Sequence, residues 1–240
     1  MRVHVFIPCL VDQFRPSAAR STLRVLESLG IEVDYTPEQV CCGQPFFKAG
    51  YHAEARRLAR KTLLHFQDGL PVVSPSGSCV RMVREHYVEI LNRDADEKRR
   101  ALDLAGRTYE LSEFLVRVLG VTDLGSSFSG RVTVHDSCQV RRGLGIWKEP
   151  RALLDEVAGL ERIEMERSDV CCGFGGIFSA RNPEVSAALA REKISRALAT
   201  GAEIVTGCEI SCLLHIERHA RETNAPIRTL HLAEILASGI

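Results

Sequence analysis

The sequence has no surplus of either charge: 31 Lys and Arg stand against 31 Asp and Glu in 240 residues. Displacing counterions from a duplex calls for a basic excess, so nucleic acid is not an expected partner. No stretch approaches the ~20 consecutive apolar residues that span a bilayer, so no transmembrane segment is expected. The opening run, Met1 to Cys9, is too short and too soon interrupted for a signal peptide and reads as a first strand. A cytoplasmic location is the resulting expectation. There is no GxGxxG after a strand, no Walker motif, no Ser-His-Asp arrangement, and no carboxylate-binding constellation with an attendant base.

What the chain does have is a core's worth of apolar residues, 45% of the total with 26% charged, and nine cysteines. Structural disulfides are not expected in a reducing compartment, and an odd count leaves one thiol unpaired under any all-disulfide scheme. Clustered thiols of this kind point to metal.

The cysteines repeat. Cys9 and Cys138 are 129 residues apart, Cys41-Cys42-Gly43 and Cys171-Cys172-Gly173 are 130 apart, and Ser78-Cys79 and Ser211-Cys212 are 133 apart. Thr108–Leu115 resembles Thr229–Leu236 at an offset of 121. The shorter offset reflects an extra polar run in the first half, Asn92–Arg100, which reads as a solvated helix end or surface loop. Four anchors in the same order indicate a duplicated unit. Two domains are expected, over residues 1–120 and 131–240, joined by the Gly- and Ser-rich segment Gly120–Gly130.

Short apolar runs alternate with amphipathic stretches in each half. This predicts an α/β fold: two pseudo-symmetric repeats with mostly parallel sheets flanked by helices. Strands are expected at Val3–Ile7, Glu32–Tyr35, Leu70–Val73, Arg131–His135, Arg162–Glu164 and Ala202–Thr206. Helices are expected at Ser17–Leu29, Gly50–Phe66, Val80–Leu91, Leu111–Leu119, Arg151–Val157, Pro183–Ala199 and Leu213–Arg221. Cys9 and Cys138 then lie at strand ends, the Cys-Cys-Gly triplets in loops, and Cys79 and Cys212 in strand-to-helix turns. All fall on the carboxyl side of the strands, where open α/β sheets place ligands.

Four thiolates are the common ligand set of a cubane iron–sulfur cluster. The first half offers Cys9, Cys41, Cys42 and Cys79; the second offers Cys138, Cys171, Cys172 and Cys212, with Cys208 a fifth candidate. Adjacent cysteines diverge from neighbouring Cα atoms and suit an extended inorganic core better than one ion. One or two clusters of the [4Fe-4S] type per chain are expected, with zinc an alternative in one half. Cys208 aligns with Pro75, which favours an inert buried thiol there. Gly43 and Gly173 allow sharp turns that can aim N–H groups at sulfur, as could Gly77-Ser78 and Gly175-Gly176, or they are ordinary turn glycines. His135 reads as a ligand, a proton carrier or a plain strand-end residue. Arg141, Arg142 and Lys148 could offset cluster charge or form a solvated face.

The pattern of Cys, Cys-Cys-Gly and Cys, present twice, resembles the cysteine-rich (CCG) domain of heterodisulfide reductases and of glycolate oxidase iron–sulfur proteins. Cys41-Cys42-Gly43-Gln44-Pro45, Pro75-Ser76-Gly77-Ser78-Cys79, His135-Asp136-Ser137-Cys138, Cys171-Cys172-Gly173-Phe174-Gly175-Gly176 and Ser211-Cys212-Leu213-Leu214-His215 resemble the lactate utilization protein A family. The resemblance implies an iron–sulfur electron-transfer subunit of a complex oxidising L-lactate to pyruvate, with lactate utilization B and C type proteins as partners. A heterodisulfide-reductase-like thiol–disulfide subunit and a zinc-stabilised interaction module are the alternatives. Two departures stand out. The relatives often close each motif with Cys-x-x-Cys, whereas Met82 follows Cys79 here, and Gln139 stands where the family often has His.

Overall fold

The computed structural model describes all residues, 1–240. Each half builds a four-stranded parallel sheet with helices on both faces. The first contains β1 (Arg2–Val5), β2 (Glu32–Asp34), β3 (Val72–Ser74) and β4 (Thr108–Glu110), in the spatial order β2-β1-β3-β4. The second contains β5 (Ser127–Val134), β6 (Ala158–Arg162), β7 (Ile204–Gly207) and β8 (Arg228–His231), in the matching order β6-β5-β7-β8. Central strands are covered on both faces, which is why β3 and β7 are buried along their whole length. In each order the chain runs outward on one side of the first strand and then crosses to the other. The switch points therefore lie between β1 and β3 and between β5 and β7, and Cys9, Cys79, Cys138 and Cys212 follow those strands.

The core does not divide with the sheets. Val3, Val5, Leu111 and Phe114 of the first half share one continuous apolar cluster with Val132, Ile204, Leu213 and Leu236 of the second. A separate cluster around Phe6, Phe66, Tyr87 and Leu91 fills the outer side of the first half. The halves also exchange helices. The helical segment 111–118, which ends the first half, packs on the second half's helix Lys148–Asp155. In turn, the second half's terminal helix, Leu232–Leu236, packs on the first half's Pro16–Ser28. Ser17 reinforces this contact, its Oγ donating to Glu234 at 2.5 Å. The reciprocal exchange sets the two cysteine-bearing edges face to face.

Several elements differ from expectation. The second-half edge strand is Ala158–Arg162, earlier than Arg162–Glu164, because it pairs with the early part of β5. That pairing also draws Ser127–Gly130, expected as linker, into β5. Strands β4 and β8 were not expected; they are three and four residues long and rich in polar residues. Asn92–Asp94 is an exposed turn, and Asp94 caps the helix Ala95–Gly106 by accepting from the Asp96 and Glu97 N–H groups. The helix over 77–90 has a π-helical middle, Met82–His86. No helix is long and apolar enough to cross a membrane.

Candidate metal centre

Eight of the nine cysteines line a single cleft of about 440 Å³ between the halves. Cys9 and Cys138 each sit at the start of a helical turn a few residues beyond a strand end. Cys79 and Cys212 are each the third residue of a helix following β3 and β7. The two Cys-Cys-Gly triplets form loops leading to short helices, Gln44–Ala49 and Ile177–Arg181. These short helices went unpredicted; each is only five or six residues long.

Within each half the sulfurs form a chain of neighbours: Cys9 to Cys41, Cys42 to Cys79 at 3.2 Å, and correspondingly Cys138 to Cys171 and Cys172 beside Cys212. All are free thiols. Crowding makes them compete for protons. Hydrogen bonding from Cys42 and then Cys9 pulls the Cys41 thiol well below its ordinary range. Cys9 is pushed up, first by its hydrogen bond with Cys41 and then by burial. Cys138 is raised, chiefly by Cys171. Metal binding displaces such protons and relieves the competition.

The glycine of each triplet is left-handed, with φ +86° at Gly43 and +94° at Gly173. Their N–H groups point at the sulfurs two residues back, 3.4 Å to Cys41 and 3.3 Å to Cys171. Each also lies against the next helix: a Cβ on Gly43 would stand 3.3 Å from the Ala55 carbonyl oxygen, and one on Gly173 would collide with that of Ser186.

Different devices pin the equivalent loops. In the first half the Tyr87 hydroxyl donates to the Cys42 carbonyl (2.9 Å), and Gln44 Nε2 donates to the Ser78 carbonyl (2.9 Å). In the second half Lys193 is buried without a carboxylate partner. Its Nζ donates to the Ser168 carbonyl at 3.0 Å and the Arg167 carbonyl at 3.3 Å, and burial lowers its pKa to about 8. Glu209, also buried, accepts from Ser78 N–H at 2.7 Å and from Ser211 Oγ at 2.7 Å, and so touches both cysteine turns. Sequence reasoning missed Glu209, Lys193 and Tyr87. The available signal for Glu209 was its alignment with Ser76 at the cap of a cysteine-bearing helix.

The cations after Cys138 are engaged elsewhere. Arg141 bonds Asp136 (2.8 Å) and, like Lys148, lies over Trp147; Arg142 bonds the Asp169 carbonyl (2.9 Å). Lys48, exposed at the rim, is the cleft's one Lys or Arg. Cys208 is set apart from the cleft. Its Sγ lies 3.8 Å from Ser112 Oγ, and burial followed by the Glu110 charge pushes its thiol up.

His135 lines the cleft at 3% exposure. One of its ring nitrogens lies in a cluster with Cys172 and Cys212 Sγ, all ligand atoms within 4.8 Å of one another. Neither ring nitrogen has a hydrogen-bond partner.

The model of the CCG cysteine-rich domain matches residues 3–84 and 132–217. Lactate utilization protein A of Oceanobacillus iheyensis is 42% identical over 236 residues, 98% of this chain and 96% of the relative. The protein of the same name from Bacillus subtilis strain 168 is 40% identical over 238 residues, 99% of this chain and all of the relative. Among solved structures, a hypothetical protein from Helicobacter pylori superposes over the whole chain with a TM-score of 0.67 at 13% identity. This chain spans about half (49%) of that protein, and the likeness concerns the fold alone.

Proposed function

The chain belongs to the lactate utilization protein A family, and on that premise we propose that it is an iron–sulfur electron-transfer subunit in the oxidation of L-lactate to pyruvate, working with partner subunits of the same system. The observation that carries this reading is the convergence of eight thiols from two halves on one cleft. The donor set fits a thiolate-ligated cluster in each half, held by Cys9, Cys41, Cys42 and Cys79 in one and by Cys138, Cys171, Cys172 and Cys212 in the other. Iron–sulfur clusters, when bound, supply reversible one-electron storage.

This chain's own residues serve that storage by placement. Gly43 and Gly173 direct N–H groups at ligand sulfurs, which stabilises the more reduced, more negative state. Apolar Pro45, Phe46, Phe174 and Ile177 at the cleft limit water's access. Lys48 is the cleft's one cation, and the cleft's imidazole and carboxylate, His135 and Glu209, are buried beside cysteine sulfurs and serine donors, so we assign the lactate chemistry itself to a partner.

The test is anaerobic purification with iron, sulfide and zinc analysis, then EPR before and after dithionite and after lactate in the presence of the B and C type partners. The reading expects iron and sulfide in near-equal amounts and a signal that lactate elicits only with partners present. A colourless protein carrying zinc alone would overturn it.

A further inference from the structure

The two halves are built alike but differ at the residue three places before the opening cysteine. The first half has Phe6 there and the second has His135. Both are buried, at 1% and 3% exposure. Phe6 packs edge-on against Phe66 and offers no donor. His135 occupies the matching place among sulfurs rather than rings: it clusters with Cys172 and Cys212, and both its nitrogens are left without partners. A buried imidazole with no hydrogen bond costs about 1–3 kcal/mol per unmet group, so such a residue persists where something else satisfies it.

From this we infer that His135 is a ligand of the second-half metal group, making that centre a mixed histidine–thiolate site while the first-half centre is ligated by thiolate alone. The inference rests on the proposed cluster-binding reading. One ring nitrogen would hold the metal beside Cys172 and Cys212, and the other would keep its proton. His135 thereby joins Cys138, Cys171, Cys172 and Cys212 as a fifth donor, where the first half offers four thiols alone. A neutral imidazole adds a donor without the negative charge a fifth thiolate would bring, so the two centres differ in ligand number and kind while their thiolate charge is the same. The two centres of this chain are therefore unequal in their ligands.

The test uses the whole chain, loaded anaerobically, with histidine labelled by ¹⁵N. Pulsed EPR of the reduced wild-type protein should show a ¹⁵N coupling on one of two iron signals and none on the other. His135→Phe, which installs the residue the first half already accommodates, should remove that coupling and shift the midpoint potential of that signal alone. The labelled wild type gives the answer even if the variant folds poorly. Two iron signals with no histidine coupling would overturn the inference while leaving the cluster reading standing. A coupling that persists in a folded His135→Phe protein would assign it to another histidine and overturn it equally. Absence of iron from the wild type would remove both.

Discussion

Glu209 Oε2 accepts the backbone N–H of Ser78 at 2.7 Å, so a carboxylate of the second half caps the turn that presents Cys79 of the first. The same side chain holds Ser211 through its Oε1 (2.7 Å), one residue before Cys212. One buried group thereby couples the geometry of both cysteine sets. Its neighbour in this seam is His231, whose Nε2 bonds the Pro75 carbonyl at 2.7 Å while Nδ1 accepts from Ala233 N–H. His231 must therefore be neutral, with its proton on Nε2, and burial lowers its pKa accordingly.

Glu209→Ala leaves the Ser78 N–H and the Ser211 hydroxyl buried without an acceptor. A loss of about 2–4 kcal/mol in unfolding free energy is expected, read by urea denaturation. Both halves should lose metal retention, not the second alone. A variant that loses iron only from the second half would show that the seam does not couple them.

Gly173→Ala should cost more than Gly43→Ala. Both positions have φ near +90°, where an alanine is strained by about 1–2 kcal/mol. At Gly173 the new Cβ also strikes the Ser186 carbonyl oxygen, whereas at Gly43 the nearest backbone atom, the Ala55 carbonyl oxygen, stays 3.3 Å away. The expected losses are about 3 kcal/mol against about 1–2 kcal/mol, by denaturant midpoint at unchanged slope.

Asp136 lies between His135 and Ser137 and fixes the loop that delivers Cys138. Arg151 grips it with two nitrogens at 2.9 and 3.0 Å, Arg141 adds a third at 2.8 Å, and Ser168 Oγ donates at 2.7 Å. Burial opposes its ionisation, but these donors outweigh burial and hold the carboxyl below its ordinary range. Asp136→Ala breaks a buried ionic network and should cost about 3–5 kcal/mol. Thermal denaturation in the metal-free form isolates this from any change in ligation.

Much of this was legible from cysteine spacing, because the duplication placed every thiol at the carboxyl side of a strand before any contact was known. The central strands were legible too, since Val72-Val73 and Ile204-Val205 are buried on both faces and look apolar throughout. Strands β4 and β8 were not. Thr108-Tyr109-Glu110 and Arg228-Thr229-Leu230-His231 carry no apolar run, and only parallel pairing with β3 and β7 makes them extended. The exchange of terminal helices was equally hidden, because a helix's amphipathic face does not say which half it will cover. The role of Glu209 depends on Ser78, 131 residues away, and no local pattern announces such a partner.

Glu110 gives the fold a pH dependence of definite sign. It is fully buried, and desolvation raises its pKa from 4.5 to about 7, even though Ser112 and Glu113 donate to it. A group raised on folding contributes stability that is complete below its unfolded value and is lost as pH rises through its folded value. Its contribution should therefore disappear between about pH 4.5 and 7, by roughly 3 kcal/mol at 1.36 kcal/mol per pKa unit. His215 acts in the opposite sense: burial lowers its pKa to about 4, so it withdraws stability as pH falls from 6.5 towards 4. Stability of the wild type measured against Glu110→Gln across this range should fall as pH rises. A difference independent of pH would show that folding leaves the Glu110 pKa unchanged.

The cleft thiols and the thiol set apart from them should respond differently to substitution. Cys172 is 2% exposed and Cys208 is 3% exposed, so burial does not distinguish them. Their surroundings do: Cys172 adjoins Cys212 and His135, while Cys208 faces Ser112 and Glu110 on the far side of the turn. Cys172→Ser should therefore lose the second-half iron and its EPR signal while leaving the first-half signal in place. Cys208→Ser should keep both signals. It should shift stability by no more than about 1–2 kcal/mol, because a serine hydroxyl in that pocket has the Glu110 carboxylate within its neighbourhood as acceptor. Iron per chain and the two EPR intensities, measured on both variants in one preparation, decide the matter. Equal loss of iron in the two proteins would place Cys208 in the ligand set and require the turn Gly207–Cys212 to rearrange when metal binds.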